Sequence, residues 1–142
     1  MTLYALAISS NQNRIHWTRI AMQQLRDMGE CKFSNIYQIP CRQGKGKDYY
    51  NFAALLNSQL TFDALDQALK KLEAHSGRVR PSHDIPLDID IIAFGDTLDN
   101  LQIVASRLPL PFDATKPLSE LWDDCPDSSG SMPFQIVRLE RL

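Results

Sequence analysis

The sequence lacks any cysteine spacing that would indicate a disulfide framework or a zinc site. Its three cysteines, Cys31, Cys41 and Cys125, lie far apart, and no CxxC motif occurs. Small secreted domains and structural zinc sites both depend on paired cysteines. We therefore expect a protein of a reducing compartment, with the cytoplasm as the default location.

Long apolar runs and a strong net charge are also missing. No stretch approaches the roughly 18 apolar residues of a membrane-spanning helix, and residues 1–5 lack the charged start of a signal peptide. The net charge of −2 gives no general attraction to nucleic acid or to a membrane surface. We expect neither as a partner.

The composition that is present is that of an ordinary globular protein. The chain has 142 residues, of which 44% are hydrophobic and 23% charged, with no internal repeat and no low-complexity segment. This length fits one domain with a real core. We expect residues 1–142 to form a single domain that acts as a monomer on small molecules.

Hydrophobic periodicity predicts an α+β fold. Strands are indicated at 2–9, 33–40, 48–57 and 86–95, and helices after Ser10 or Asn11 up to Gly29 and from the Thr61 cap to Gly77. A strand or irregular segment is indicated at 101–108, a short helix at 115–121, a turn-rich loop at 125–131 and a last strand at 134–139. The order β-α-β-β-α-β is that of a ferredoxin-like sandwich. We expect an antiparallel sheet with both helices on one face, the other face open to ligands, and a C-terminal extension.

The strand at 86–95 carries two carboxylates at alternate positions. Successive side chains of a strand point to opposite faces, so Asp88 and Asp90 share one face, about 7 Å apart. The remaining apolar positions face the core: Leu87, Ile89, Ile91 and Ala93. Each charge raises the pKa of the other, and a bound cation removes that cost. Magnesium suits such a pair, although a half-solvated strand with two outward acids is the plain alternative.

Two arginines precede this strand. Arg78 and Arg80 would point the same way if the chain is extended there, and a guanidinium group suits phosphate because of its planar fork of donors. The alternative is a solvated loop whose positive charges favour the end of the preceding helix. Beside Asp88 and Asp90, we favour a site for a polyphosphate and its magnesium.

The loop at 41–47, CRQGKGK, is rich in glycine and lysine. It lacks the Gly-Lys-Ser/Thr ending of a phosphate-binding P-loop and does not open a helix. A mobile connection between two antiparallel strands is the better interpretation, and such a loop can act as a lid.

At this point the sequence resembles a known family. The segments GRVR (77–80) and LDIDIIAFG (87–95) are similar to the signature region of 6-hydroxymethyl-7,8-dihydropterin pyrophosphokinase, an enzyme of folate biosynthesis. YALAISSN (4–11) resembles its opening strand and turn, and YQIP (37–40) and DYYN (48–51) its pterin-side strands. The resemblance covers about the first two-thirds of the chain, and the family fold is ferredoxin-like.

The resemblance implies a transfer of pyrophosphate from ATP to the pterin, with release of AMP. Asp88 and Asp90 would hold two magnesium ions. Arg78 and Arg80 would bind the ATP phosphates as catalytic residues, with Glu73 and Ile91 near the nucleotide. The pterin pocket would be lined by Pro40, Tyr49, Asn51 and Phe112.

The sequence also departs from the family pattern. Residues 84–87 offer no Pro-Arg pair before the first aspartate, an expected loop tryptophan is missing, and Ser9 replaces a glycine. The loop after the aspartate strand lacks the family's histidine and arginine, for which Arg107 and Lys116 are the available substitutes. His83 is a further candidate metal ligand, although a loop histidine is more often simply exposed.

Two other functions stay open from the sequence alone. The chain could be a catalytically weak relative that binds a pterin or a nucleotide. It could also be a ferredoxin-like interaction module, whose mark would be a large apolar patch in place of the pocket.

Overall fold

The structure, a computed structural model, describes residues 1–41, 44–128 and 130–141, and the side chains up to residue 140. Its helices are α1 (Arg14–Met28), α2 (Phe62–His75) and α3 (Phe112–Leu118). Its strands are β1 (Thr2–Ser10), β2 (Glu30–Phe33), β3 (Ile36–Ile39), β4 (Tyr49–Ser58), β5 (Asp88–Gly95), β6 (Gln102–Ile103) and β7 (Gln135–Val137). Arg42, Gln43 and Ser129, which fall in the predicted loops 41–47 and 125–131, lie outside the described residues. No described helix is long and apolar enough to cross a membrane.

The described strands form one antiparallel sheet in the order β6-β5-β1-β4-β3-β7, with β2 also paired to β4. The long strands β1 and β4 pair along their whole length, from Thr2 opposite Ser58 to Ser10 opposite Tyr50. The central order β5-β1-β4-β3 is the ferredoxin-like arrangement, so the predicted fold class is confirmed.

The predicted strand at 33–40 is interrupted and forms β2 and β3. Ser34 lies at the break, where its backbone N–H donates to the Ala53 carbonyl at 3.0 Å. The Ser34 hydroxyl accepts from the Ala53 N–H at 2.8 Å. A side-chain oxygen thus takes the place of a backbone acceptor in the ladder, which is why the apolar alternation is imperfect there.

Helices α1 and α2 cover one face of the sheet, as predicted. Leu25, Leu65 and Leu69 are almost completely buried there against Leu6 and Phe52 of the sheet. The predicted N-cap of α2 is confirmed, because the Thr61 hydroxyl accepts from the Ala64 N–H at 3.2 Å.

The predicted N-cap of α1 is wrong. Ser10 is the last residue of β1, and Asn13 precedes the helix in the left-handed conformation without a capping side-chain bond. Asn11 is used elsewhere: its side chain accepts from the Ile85 N–H at 2.6 Å and donates to the His83 carbonyl at 2.7 Å. It therefore ties the loop before β5 to the end of β1.

The opposite face of the sheet is only partly open, because α3 packs on it. Leu118 and Trp122 are buried there against Ala5, Ala53 and Ile92. The two alanines leave room for a helix to approach the sheet closely. The helix begins at Phe112 rather than near 115 as predicted. What stays open is the end of the sheet at which β1 finishes and β5 begins.

A bulge interrupts the pairing of β1 with β5. Leu6 pairs with Ile91 but Ala5 pairs with Ala93, so Ile92 is the extra residue. Ile89 and Ile91 face the helices as predicted, whereas Ala93 packs on the α3 side. The prediction for Ala93 was wrong because a bulge cannot be read from strict alternation.

The C-terminal extension continues the sheet. The predicted last strand is β7, which pairs with β3. The segment 101–108 contains the two-residue strand β6 and a 3₁₀ turn at Ala105–Arg107. That turn places Arg107 beside the start of β5.

Candidate active site

The two aspartates of β5 lie on the sheet face opposite α1 and α2. Asp88 is opposite Ser9 of β1, and Asp90 is opposite Ala7. Both carboxylates line a cavity of about 270 Å³, here called the acidic cavity, together with Asn51, Arg107 and Asp113 among others. The alternation predicted from the sequence is therefore present in this half of the strand.

The second aspartate is held in an unfavourable environment for its charge. The pKa of Asp90 is raised to about 6, first by burial and then by the charge of the neighbouring Asp88. Arg107 opposes it through an ion pair of 3.2 Å between Nη1 and Asp90 Oδ1. A cation at this carboxylate would relieve a real electrostatic cost.

The first aspartate belongs to a chain of ionic contacts that joins β5 to α2. Arg78 Nη1 lies 2.6 Å from Asp88 Oδ1 and 2.8 Å from Glu73 Oε2. Glu73 Oε2 also accepts from the Ile89 N–H at 3.2 Å. Two acids thus share one guanidinium group, and these contacts fix the turn after α2 to the start of β5.

The pKa values of this chain follow from burial and mutual charge. The pKa of Glu73 is raised to about 7, first by burial and then by the neighbouring Asp88, while the Ile89 N–H and Arg78 oppose the rise. Burial alone would lower the pKa of Arg78, but its bond to Asp88 and the surrounding acids raise it above the ordinary value.

Arg80 is not brought to the acids. It is exposed, and within the part of the chain that the structure describes it makes no hydrogen bond or ion pair. The expectation that the guanidinium groups of Arg78 and Arg80 point the same way is therefore not met. Arg78 is held on the carboxylates and Arg80 extends into solvent.

A second cavity of about 610 Å³, here called the amide cavity, adjoins the first. The two share Ser9, Asn51, Asp88 and Asp113. The amide cavity is also lined by Tyr49 and His83. Together the cavities form one groove that runs across the ends of β1, β4 and β5.

Asn51 is the most unusual group in this groove. It is only 4% exposed, and its Nδ2 has no hydrogen-bond partner among the described residues. A buried amide without a partner is costly. Because Asn51 lines both cavities, a ligand in the groove is the natural acceptor.

Several predicted site residues lie outside the groove. Ile91 packs into the core beneath α1 and α2. Pro40 is half-buried and lies next to Cys41, which lines the amide cavity. Phe112 lines a separate cavity on the far side of α3, with its ring 6.1 Å from that of Phe134.

Of the two substitutes considered for the missing clamp residues, Arg107 is in the groove and Lys116 is not. Lys116 lies over the Phe134 ring, 5.2 Å from its centre, and lines the same separate cavity as Phe112.

Asp113 was not predicted as a site residue, although it lines both cavities. The resemblance assigned the neighbouring Phe112 to the pterin pocket and gave no role to Asp113. Pro111 followed two residues later by an acid is a helix-start signal, and it would have placed Asp113 in the first turn of a helix.

The fold and the groove define a class of protein: an antiparallel α+β sandwich with an acidic pair and an arginine at one end of its open face. A model of the 7,8-dihydro-6-hydroxymethylpterin-pyrophosphokinase (HPPK) family matches residues 5–121. The chain belongs to this family. A search of curated proteins gave no match.

Proposed function

We propose that this protein transfers pyrophosphate from ATP to 6-hydroxymethyl-7,8-dihydropterin, releasing AMP, as a step of folate biosynthesis. Membership of the HPPK family supports the pterin and the transfer. The observation that carries the proposal for this chain is the groove, in which the carboxylates of Asp88 and Asp90 lie close together. They adjoin a cavity lined by Asn51, whose Nδ2 has no partner among the described residues.

Asp88 and Asp90 fit a magnesium site. Carboxylate oxygens are the ligands that magnesium prefers, and its remaining positions are usually filled by water and substrate phosphates. The described residues contain no cluster of three or more possible metal ligands, so the protein would supply only this pair. Two ions bound there would neutralise the phosphate charge.

The phosphates would lie in the acidic cavity, near Arg78 and Arg107. Both arginines already contact the carboxylates that a metal would occupy. Once a cation replaces them as the partner, their donors are available to phosphate oxygens. Arg80 would add a contact from the exposed side, and Glu73 would hold Arg78 in place. Ile91 would contribute only its main chain.

The pterin would lie in the amide cavity. Asn51 would donate its unpartnered N–H to the ring, and Tyr49 would contribute its ring face, with Pro40 at the border. Phe112 faces a different cavity, so we assign it no stacking role. The pterin hydroxymethyl oxygen would attack the β-phosphorus. The bond from that phosphorus to the oxygen of AMP would break, and the hydroxyl proton would pass to solvent.

The same proposal places the protein in the cytoplasm as a monomer. All the groove residues come from one chain, so the site does not need a second copy.

A relative that binds its ligands without efficient turnover is the second candidate. It is favoured by the engagement of Arg78 and Arg107 with carboxylates, since removing a clamp arginine slows phosphoryl-type transfer by orders of magnitude. The interaction-module alternative is disfavoured, because charged side chains line the groove in place of a large apolar patch: Asp88, Asp90, Arg107 and Asp113.

The test is the release of AMP from ATP in the presence of magnesium and the hydroxymethyl pterin. We expect release to require all three, and to fall at least 100-fold in Asp88→Ala and Asp90→Ala, since each change removes a proposed metal ligand. Asp99→Ala, in an exposed acid away from the groove, is the control. Binding of the pterin without AMP would support the second candidate, and binding of neither substrate would exclude both.

A further inference from the structure

One wall of the amide cavity is a loop with little packing of its own. Pro81, Ser82, His83 and Ile85 of the loop at 81–85 line this cavity. The loop lies outside every helix and strand, and its residues before Ile85 are exposed. A segment of this kind opens easily unless another part of the molecule holds it.

Asn11 holds this loop against the sheet. It follows the last residue of β1 and is only 1% exposed. Its main-chain N–H donates to the Ile85 carbonyl at 2.9 Å, and its Oδ1 accepts from the Ile85 N–H at 2.6 Å. The side-chain oxygen thus stands in for a backbone carbonyl and continues the pairing of β1 beyond the end of the strand.

The other end of the same amide holds the middle of the loop. Asn11 Nδ2 donates to the His83 carbonyl at 2.7 Å. Inside the loop, the Asp84 N–H donates to the Ser82 hydroxyl at 3.0 Å, a bond that closes on the loop itself. Within the part of the chain that the structure describes, every hydrogen bond from this loop to another segment ends on Asn11.

A third segment, the loop before β4, meets the same side chain. Asn11 Nδ2 also donates to the Lys47 carbonyl at 3.3 Å. Gly46 approaches so closely that a Cβ there would lie 2.9 Å from the His83 carbonyl oxygen and 3.1 Å from Asn11 Nδ2. The end of β1 and the two loops therefore join at one buried amide, with no room for a side chain at Gly46.

This junction lies beside the pterin half of the groove. Ser9, two residues before Asn11, is paired with Asn51 on one side and with Asp88 on the other. Asn11 therefore sets the position of the loop relative to the Asn51 amide. Asp88 and Asp90 belong to β5, which is held by its own pairing with β1. Loss of Asn11 should disturb the pterin subsite and leave the two carboxylates in place.

We propose that Asn11 is a positioning residue for the pterin, which holds the loop at 81–85 as a wall of the amide cavity. Asn11 lines neither the acidic nor the amide cavity, so it acts through His83 and Ile85 and touches neither substrate. This inference rests on the proposed pterin substrate. It gives a residue outside the groove a selective effect on one of the two ligands.

The test is Asn11→Ala, which removes the side-chain bonds of the junction. Calorimetry measures binding of the hydroxymethyl dihydropterin with magnesium and a non-hydrolysable ATP analogue present, and binding of the analogue with magnesium alone. Apparent affinity falls with the fraction of molecules whose loop is in place. We expect pterin binding to weaken about tenfold or more, since several hydrogen bonds are lost, and analogue binding to change by less than about threefold.

The matched control is Ser58→Ala, which removes another buried polar tie. The Ser58 hydroxyl is completely buried, donates to the Met28 carbonyl at 2.7 Å and accepts from the Leu60 N–H at 3.1 Å. It joins separate segments at the opposite end of the β1–β4 pair, beside Thr2. Ser58→Ala should lose stability and, where it is folded, keep the wild-type affinity for both ligands.

Gly46→Ala disturbs the same junction and keeps Asn11. The added methyl group must move the loop before β4 away from the His83 carbonyl, because the two would otherwise overlap. It should weaken pterin binding selectively, as Asn11→Ala does. If Asn11→Ala does not fold, this variant decides the question, and wild-type pterin affinity in it would contradict the proposal.

The outcomes separate this inference from the function beneath it. If the wild type releases AMP and folded Asn11→Ala binds the pterin as the wild type does, the role of Asn11 is wrong and the enzyme stands. Equal losses of affinity for the pterin and the ATP analogue would also overturn the role, because they indicate a general loosening of the fold. If the wild type binds no pterin, both proposals are overturned.

Discussion

At the scale of single residues, Asp88 connects the charged groups of the groove. It bonds to Arg78, and its charge contributes to raising the pKa of both Glu73 and Asp90. Glu73 and Asp90 are therefore acids whose ionised forms are disfavoured in the folded protein. Such perturbed acids concentrate at functional sites, because the same environment that disfavours their charge favours a bound cation.

The first prediction concerns Glu73 and pH. Its pKa is about 7 in the folded protein against an ordinary value of 4.5, so the folded state holds the proton more tightly than the unfolded state. The contribution of Glu73 to stability should be full below pH 4.5 and should fall as pH rises to 7, by up to about 3 kcal/mol. Glu73→Gln removes this dependence. The free energy of unfolding in urea, measured in EDTA between pH 4.5 and 8, checks it.

Asp90 contributes a loss of the same sign, because its pKa is also raised, to about 6. The relevant quantity is therefore the difference between wild type and Glu73→Gln at each pH. Wild type should lose stability relative to the variant between pH 4.5 and 7. Parallel curves would show that Glu73 ionises as in water.

Side-chain direction is the part of the site that the sequence could predict only within a regular strand. Asp88 and Asp90 followed from strict alternation. Arg80 and Phe112 lie in or beside irregular segments, where spacing does not fix direction, and neither lines the groove. Asn51 was assigned to the pterin pocket from the resemblance, and the structure adds that its Nδ2 is buried with no hydrogen-bond partner among the described residues.

At the scale of elements, α3 determines the shape of the groove. It covers the part of the open face above Ala5 and Ala53 and leaves the ends of β1 and β5 uncovered. The sequence indicated a short helix here but started it three residues late. The structure has Phe112 and Asp113 in its first turn, and of the two only Asp113 lines the groove. A shift of one residue in a helix rotates the side chain by about 100°.

The second prediction tests α3 as a wall of the groove. Leu118→Ala removes a completely buried side chain beneath α3 and should cost about 2–5 kcal/mol of stability. It should also weaken binding of the hydroxymethyl dihydropterin about tenfold or more, because α3, whose start forms one wall of the groove, is no longer held. Urea unfolding and calorimetry measure the two effects.

Leu69→Ala is the matched control for this prediction. Leu69 is as buried as Leu118 but belongs to α2, which packs on the other face of the sheet. It should lose comparable stability and keep the wild-type pterin affinity under conditions in which it is folded. Equal losses of pterin affinity in both variants would show that α3 has no special part in the site.

At the scale of the whole molecule, the order of elements was sufficient to predict the fold. Four long apolar segments and two amphipathic helices in the order β-α-β-β-α-β leave few ways to bury their faces, and the observed sheet is one of them. The bulge at Ile92 and the break at Ser34 could not be predicted, because they depend on how neighbouring strands pair. Ile92 lines the acidic cavity.

The cavities also depend on the whole molecule. The groove is built from β1, β4, β5, the loop at 81–85, the turn at Ala105–Arg107 and the start of α3. These segments are far apart in sequence, and only the antiparallel sheet brings them together. Asp90 and Arg107 line only the acidic cavity, Tyr49 and His83 line only the amide cavity, and Asn51 and Asp88 lie where the two meet. The groove therefore has two chemically different halves, as a transfer between two unlike substrates needs.

The central claim is that Asp88 and Asp90 bind magnesium for a polyphosphate held in the acidic cavity. The most direct test is calorimetric titration of the protein with a non-hydrolysable ATP analogue, with and without magnesium, for the wild type and Asp90→Asn. We predict binding that requires magnesium and weakens at least tenfold in the variant. Equal affinity with and without magnesium, or an Asp90→Asn variant that binds as the wild type does, would contradict it.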